Sequence, residues 1–301
     1  MTFELATTET KEDEKGKTEE RKDTGTKPGY LCFWTLKNPT FPEKFIKTDH
    51  SITCCQFSKK DPHLIAVGDS HGNIAIYNVR GTDTKPVAES KDLDGKHTDI
   101  IWELQWVEKK DKGEFLVSIS GDGRIIEWSM KKGLEFTELK VLKRETNPNQ
   151  KDVYSGAEVI GEKKSGGMTF IVTGGLSIDF PSDGANHNNY FTATEDCTIH
   201  KCSTSYSEGY MDTFVGHNGP IYKVRCNPFW ESNECPIFLS CSYDWTVKVW
   251  NAKQQTPALT CHQIGHLRDQ VNDICWAPKT SSVFASVAND GRIEIWDLKV
   301  D

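Results

Sequence analysis

From Gly29 onward, apolar positions come in short, strand-length runs rich in Val, Ile, Phe, Tyr and Trp, bounded by Gly, Asp, Asn and Pro turns. That pattern predicts β-strands, and no stretch repeats apolar residues at helical spacing long enough to predict a sizeable amphipathic helix. One unit recurs along the chain: an apolar run, a turn, a second run ending in small residues, an Asp-Gly or its equivalent, then a third run closing on an aromatic residue. Five copies read LIAVGDSHGNIAIYN (64–78), FLVSISGDGRIIEWS (115–129), YFTATEDCTIHKCS (190–203), IFLSCSYDWTVKVWN (237–251) and VFASVANDGRIEIWD (283–297). Tyr77, Trp128, Trp250 and Trp296 close four of them, and Cys202 stands in that place in the third.

The closing positions are 51, 74, 48 and 46 residues apart, against ~40 to 45 for one four-stranded blade of a WD40 propeller. The expected fold is therefore all-β, a WD40 β-propeller with five recognisable blades plus a half blade. Gly29–Leu36 reads as a third strand whose fourth falls near Glu43–Lys47. The interval of 74 predicts a charged surface insertion at about 130–174. Residues 1–28 hold fourteen charged side chains and no apolar periodicity, which predicts a disordered tail or linker ahead of a propeller over 29–301.

Three units carry a His before the first strand, a Ser four residues before the turn Asp and a Trp six after it. The sets are His97/Ser118/Asp122/Trp128, His217/Ser240/Asp244/Trp250 and His266/Ser286/Asp290/Trp296. Ser, His and Asp together could serve nucleophilic catalysis. One hydrolase needs one triad, however, whereas three copies each tied to a Trp point to a structural network that satisfies a buried indole N–H. No catalytic residue is expected.

Charge narrows the partners further. Thirty-six Lys and Arg against 44 Asp and Glu leave −8, a field that repels a phosphate backbone, so no nucleic acid is expected. No apolar run is long enough for a membrane helix and no signal-peptide core follows Met1, so the reading is intracellular, without membrane, small-molecule substrate or cofactor. Ten cysteines lie scattered in strand-like runs and read as reduced, packed thiols. Cys54-Cys55, Cys197 and Cys202 with His200, and Cys261 with His262 and His266 lack paired zinc-ligand spacing, so no metal is expected. His200 reads as a surface imidazole beside a packed Cys202. Gly161–Met168 lacks the Lys and Ser/Thr of a phosphate-binding loop, and Lys131-Lys132 and Lys140–Arg144 read as a solvated or partner-facing loop. Trp245 follows the turn Asp where the other two full sets have Gly. A large aromatic at a turn tip either packs on a neighbouring loop or, with Asn218 on the same rim, contacts a partner.

Phe238–Trp250, preceded by Gly216-His217, Tyr222, Val224 and Asn227-Pro228-Phe229, resembles the SCSxDWTVKxW blade of dynein intermediate chains. Ile199–Ser203 with Tyr206, Tyr210 and Thr213 resembles the IHKCSxxYxxxYLxT of the axonemal members, and Leu36–Pro39 with Phe41–Glu43 their SLKNPxxPE. Thr194-Glu-Asp-Cys197 departs from their TEEG. The resemblance runs over about 29–299 and is nearest the two-headed inner-arm (I1 or f) type, with the outer-arm type second. It implies that these blades are part of a seven-bladed ring, in a non-catalytic scaffold subunit in the cytoplasm and the axoneme of a cilium or flagellum. The implied partners are a dynein heavy chain, a second intermediate chain and light chains; the alternative is a general cytoplasmic WD40 scaffold.

Overall fold

The computed structural model describes residues 28–109, 113–130, 133–144, 162–165, 168–181, 188–229, 237–263 and 268–299. Residues 1–27 of the expected tail lie outside them, as do 131–132, 145–161 and 166–167 of the expected insertion. Among the described residues every regular element is a strand and every pairing is antiparallel. A two-stranded unit, β1 (Gly29–Phe33) with β2 (Lys44–Thr48), comes first. The first full blade is β3 (Ile52–Phe57), β4 (Leu64–Asp69), β5 (Ile74–Asn78) and β6 (Ala88–Glu89). The second is β7 (Ile101–Lys109), β8 (Gly113–Ser120), β9 (Arg124–Ser129) and β10 (Glu135–Val141). A hairpin, β11 (Glu162–Ser165) with β12 (Met168–Ile171), separates it from the third blade of β13 (Gly175–Asp179), β14 (Asn189–Thr194), β15 (Thr198–Ser203) and β16 (Asp212–Val215). The fourth has β17 (Ile221–Cys226), β18 (Ile237–Ser242), β19 (Thr246–Asn251) and β20 (Leu259–His262); the fifth has β21 (Val271–Trp276), β22 (Val283–Ala288) and β23 (Ile293–Asp297).

The stretch expected to leave the blade from about 130 supplies β10, which pairs with β9 from Glu135↔Ser129 to Val141↔Arg124. Lys140, read as solvated, is 3% exposed. Tyr210 of the third blade reaches back across the seam, and Lys140 lays its stem against that ring with Nζ 4.9 Å from the centroid and donates to Gly209 O at 2.5 Å. A long cationic side chain is buried here because a carbonyl and an aromatic face receive its head.

Both faces of a central blade are apolar, so each seam between blades is a core of its own. Ala66, Ile74 and Ile76 of the first blade meet Ile101, Leu104, Trp106 and Trp128 of the second. Further along, Phe191, Ile199 and Phe214 meet Val224, Phe238 and Trp250, and Leu239, Val247 and Val249 meet Ile274, Trp276 and Phe284. Leu31 and Ile46 seat the two-stranded unit on Ile65, Val67 and Tyr77.

The first strand of each blade is an edge strand, and its exposed N–H groups need acceptors. Side chains of preceding blades supply them. Gln56 Oε1 accepts from Trp106 N at 2.7 Å, Glu103 Oε2 from Ile178 N at 3.0 Å, Ser177 Oγ from Val224 N at 3.2 Å and Asp179 Oδ2 from Cys226 N at 2.6 Å. All five first strands shift register at the same place, a bulge that gives Cys54, Glu103, Ser177, Lys223 and Asp273 one common position. From there Glu103 spans three blades: besides the third blade's Ser177 Oγ (2.5 Å), its carboxylate accepts from the fourth blade's Arg225 (2.5 Å) and Lys223 (3.1 Å). Burial alone would push the Glu103 carboxyl up, but those cations and the bonds from Arg225 and Ser177 hold it at about 2.

Glu103→Ala should lower the unfolding free energy by about 3 kcal/mol or more, because it strands two cations at a buried seam; urea titration measures this. The folded-state value lies below the ordinary 4.5, so the carboxylate's contribution is complete above that pH and fades as pH falls towards 2. Acid titration of the parent should therefore show a stability loss over that window that is reduced in Glu103→Ala.

Candidate functional site

The strongest sequence signal, the repeated His, Ser, Asp and Trp, falls at one rim of the blades. In the fourth blade Trp250 Nε1–H donates to Ser240 Oγ at 2.7 Å, and Ser240 O–H donates to His217 Nε2 at 2.7 Å. His217 Nδ1–H donates to Asp244 Oδ2 at 2.8 Å. The second blade repeats the relay: Trp128 to Ser118 at 2.8 Å, Ser118 to His97 at 2.7 Å, and His97 Nδ1 to both Asp122 oxygens at 3.1 Å. A neutral imidazole protonated on Nδ1 completes each chain of donors. Burial pushes His217 down, in keeping with that neutral form. Burial would raise Asp244, but bonds from His217, Thr246 and the Asn218 N–H outweigh it and hold the carboxyl well below the carboxylate range; Asp122 is lowered in the same way by His97, Thr98 N and Arg124 N.

Each Asp also accepts the N–H two residues on, Arg124 N at 2.9 Å and Thr246 N at 3.1 Å, which closes the hairpin turn. The relay thus ties the loop leading into a blade's first strand to the turn between its second and third strands. Ser118 and Ser240 are fully buried and engaged with an indole, so the arrangement orients backbone and offers no face to a substrate.

The third set is divided. Trp296 Nε1 donates to Ser286 Oγ at 2.9 Å, while Asp290 is held by Arg292, Nε to Oδ2 at 2.6 Å; His266 lies outside the described residues. The third blade, with Thr192 and Cys202 in place of Ser and Trp, uses another network. His200 lies 3.0 Å from Thr198 Oγ1 and 3.2 Å from Thr213 Oγ1, and its ring stacks on Tyr210 at 3.7 Å. Asp196 accepts from Thr194 and Thr198 at the turn. His200, expected at the surface, is fully buried, and that burial lowers its pKa to about 4. Alternation along a strand gives exposure only where one sheet face is wet, and here the neighbouring blade covers the face opposite as well. Cys197, Cys202 and Cys261 are buried, Cys55 and His262 exposed, and among the described residues no three metal-ligating side chains converge.

Trp245 is 48% exposed and Tyr243, across Asp244 from it, 51%; Asn218 is exposed beside them, its N–H on Asp244 Oδ2 at 3.0 Å. Trp245 has φ +69°, the left-handed conformation that Gly123 (+73°) and Gly291 (+87°) adopt at the same turn position. Gly123 is required there, since a Cβ would stand 2.6 Å from Thr173 O of the next blade. A bulky side chain in that conformation costs on the order of 1 kcal/mol. The Glu103 network went unread, although its signal was present: charged Glu103, Lys223 and Arg225 interrupt runs that otherwise read as strand cores.

Blades of this build, stacked through apolar seams and pinned by an indole–Ser–His–Asp relay, define a WD-repeat propeller protein. The WD domain, G-beta repeat pattern matches residues 209–251 and 258–297. Within that class the chain is a homologue of the axonemal dynein intermediate chains. It is 42% identical to dynein axonemal intermediate chain 4 of Homo sapiens and 40% identical to that of Mus musculus, over 91% of this chain and 31% and 33% of those proteins. It is 34% identical to dynein intermediate chain 2, ciliary, of Heliocidaris crassispina, over 91% of this chain and 36% of that protein. The chain spans about a third of the length of these relatives.

Asp244→Ala should cost about 2 to 3 kcal/mol, since His217 and Asn218 N lose their acceptor. Asp290→Ala, at an exposed turn, should change the urea midpoint little. Equal losses would mean that the relay adds nothing to the turn.

Proposed function

We propose that this chain is the WD-repeat portion of a non-catalytic axonemal dynein subunit that docks on a dynein heavy chain. A second intermediate chain and light chains complete the complex, which acts in the cilium or flagellum and is built in the cytoplasm. The two-headed inner arm is the favoured setting. The observation that carries this reading is the likeness to dynein axonemal intermediate chains over 91% of the chain. The structural relay at the rim accounts for the His, Ser and Asp residues without chemistry, which accords with a scaffold.

The docking contact favoured is the rim carrying Trp245 and Asn218. Trp245 takes the left-handed backbone of this turn, as the buried Cys197 does in the third blade, but half its surface faces solvent. An exposed indole flanked by a second aromatic, Tyr243, has the make-up of an interface anchor.

Trp245→Gly in the full-length protein should melt no lower than the parent, because Gly accepts this φ without strain. It should weaken heavy-chain co-precipitation from demembranated axonemes by roughly thirtyfold, about 2 kcal/mol. Unchanged co-precipitation would remove Trp245 from the contact; absence of the parent chain from axonemes would favour the general scaffold.

A further inference from the structure

The register shift shared by the five first strands leaves one residue of each outside the pairing, beside the rim that carries the relay: Thr53, Trp102, Leu176, Tyr222 and Asn272. A bulge re-aims the side chain it carries. Trp102 is 42% exposed there, whereas Leu176 is buried. The turn beside Trp102 has no side chain at Gly121, and Asp99 and Trp102 take that space: a Cβ on Gly121 would stand 2.6 Å from Asp99 Oδ2 and 3.5 Å from Trp102 Nε1. Glu195 holds the place of Gly121 in the third blade, its N–H on Gly174 O at 3.0 Å as Gly121 N is on Ile100 O at 3.0 Å. Its carboxyl lies over Gly174, where a Cβ would stand 2.6 Å from the carboxyl carbon.

These acids lack a counter-charge. Burial, then Asp99 and Asp196, push the Glu195 carboxyl up. Asp99 Oδ1 accepts from the adjacent Ile100 N at 2.7 Å, and among the described residues no Lys or Arg forms an ion pair with Asp99 or Glu195. Cations nearby are engaged elsewhere, Lys96 Nζ on Asn73 Oδ1 at 2.7 Å and Arg124 Nε on Glu138 at 2.7 Å. The third turn adjoins the fourth, since Asp196 and Asp244 both act on Cys197. Two exposed indoles, Trp102 and Trp245, therefore bracket unpaired acids across the second, third and fourth blades. Each of these blades packs against a neighbour on both sides, so this stretch of rim does not depend on where the arc begins or ends.

We propose that this stretch of rim receives a basic segment of the heavy chain, an Arg or Lys of which seats against the Trp102 ring between Asp99 and Glu195, a role that rests on the docking contact proposed above. Charge complementarity selects the occupant. A cation there meets an indole face and two carboxylates at once and relieves a repulsion that the free protein carries. An acidic or wholly apolar segment would bury the same carboxylates without a partner.

Heavy-chain co-precipitation from demembranated axonemes, run with the full-length protein over a series of salt concentrations, tests this through Asp99→Asn/Glu195→Gln. Asn and Gln keep the shape and the acceptor for Ile100 N and remove the repulsion, so the double variant should melt no lower than the parent. Its co-precipitation should fall roughly tenfold at low salt and depend less on salt than that of the parent. Glu195→Asp keeps the charge and should bind as the parent does. Trp245→Gly separates the two readings. If it weakens binding while the double variant matches the parent at every salt concentration, the docking contact stands and the basic segment is overturned. A loss from Glu195→Asp equal to that of the double variant overturns it too, because shape and not charge would then be read. If neither Trp245→Gly nor the double variant alters co-precipitation, the rim is not the contact and both readings fall.

Discussion

A sheet with two apolar faces cannot be satisfied by water on either side, and that constraint orders the whole molecule. Each blade holds its neighbour's Trp, Phe and Ile residues out of water, so no blade has a core that is its own. Stacking then creates a second requirement, because the edge strands brought side by side must find acceptors for their outward N–H groups. Gln56, Glu103, Ser177 and Asp179 are the answer to that requirement, and their polar side chains sit in otherwise apolar runs for this reason.

Much of this was legible in the chain. Two-residue alternation and fixed offsets between His, Ser, Asp and Trp are properties of a repeated unit, and repetition separates a structural relay from a single catalytic constellation. The second and fourth blades follow that reading side chain by side chain. The family motifs led to the same set of relatives that whole-chain comparison returns.

What escaped the sequence depends on contacts between units. Lys140 reads as a surface charge until Tyr210, seventy residues later, is brought over it. His200 reads as exposed because alternation cannot tell which faces a neighbouring blade covers. Glu103 finds Arg225 only because successive blades share a bulge, a coincidence of register and not of spacing. The left-handed backbone at Trp245 was hinted at by the glycines of the sibling turns, but a residue type alone does not reveal that the conformation is kept when the glycine is not.

The Glu103 clasp also sets how the arc can deform. It joins the second blade to the fourth through their innermost strands, past the small Ser177 of the third. A bond placed so far inward opposes extension along the arc but has a short lever arm against tilting. Tilting is resisted further out instead, where Lys140 of the outer strand β10 holds Gly209 across the seam between the second and third blades.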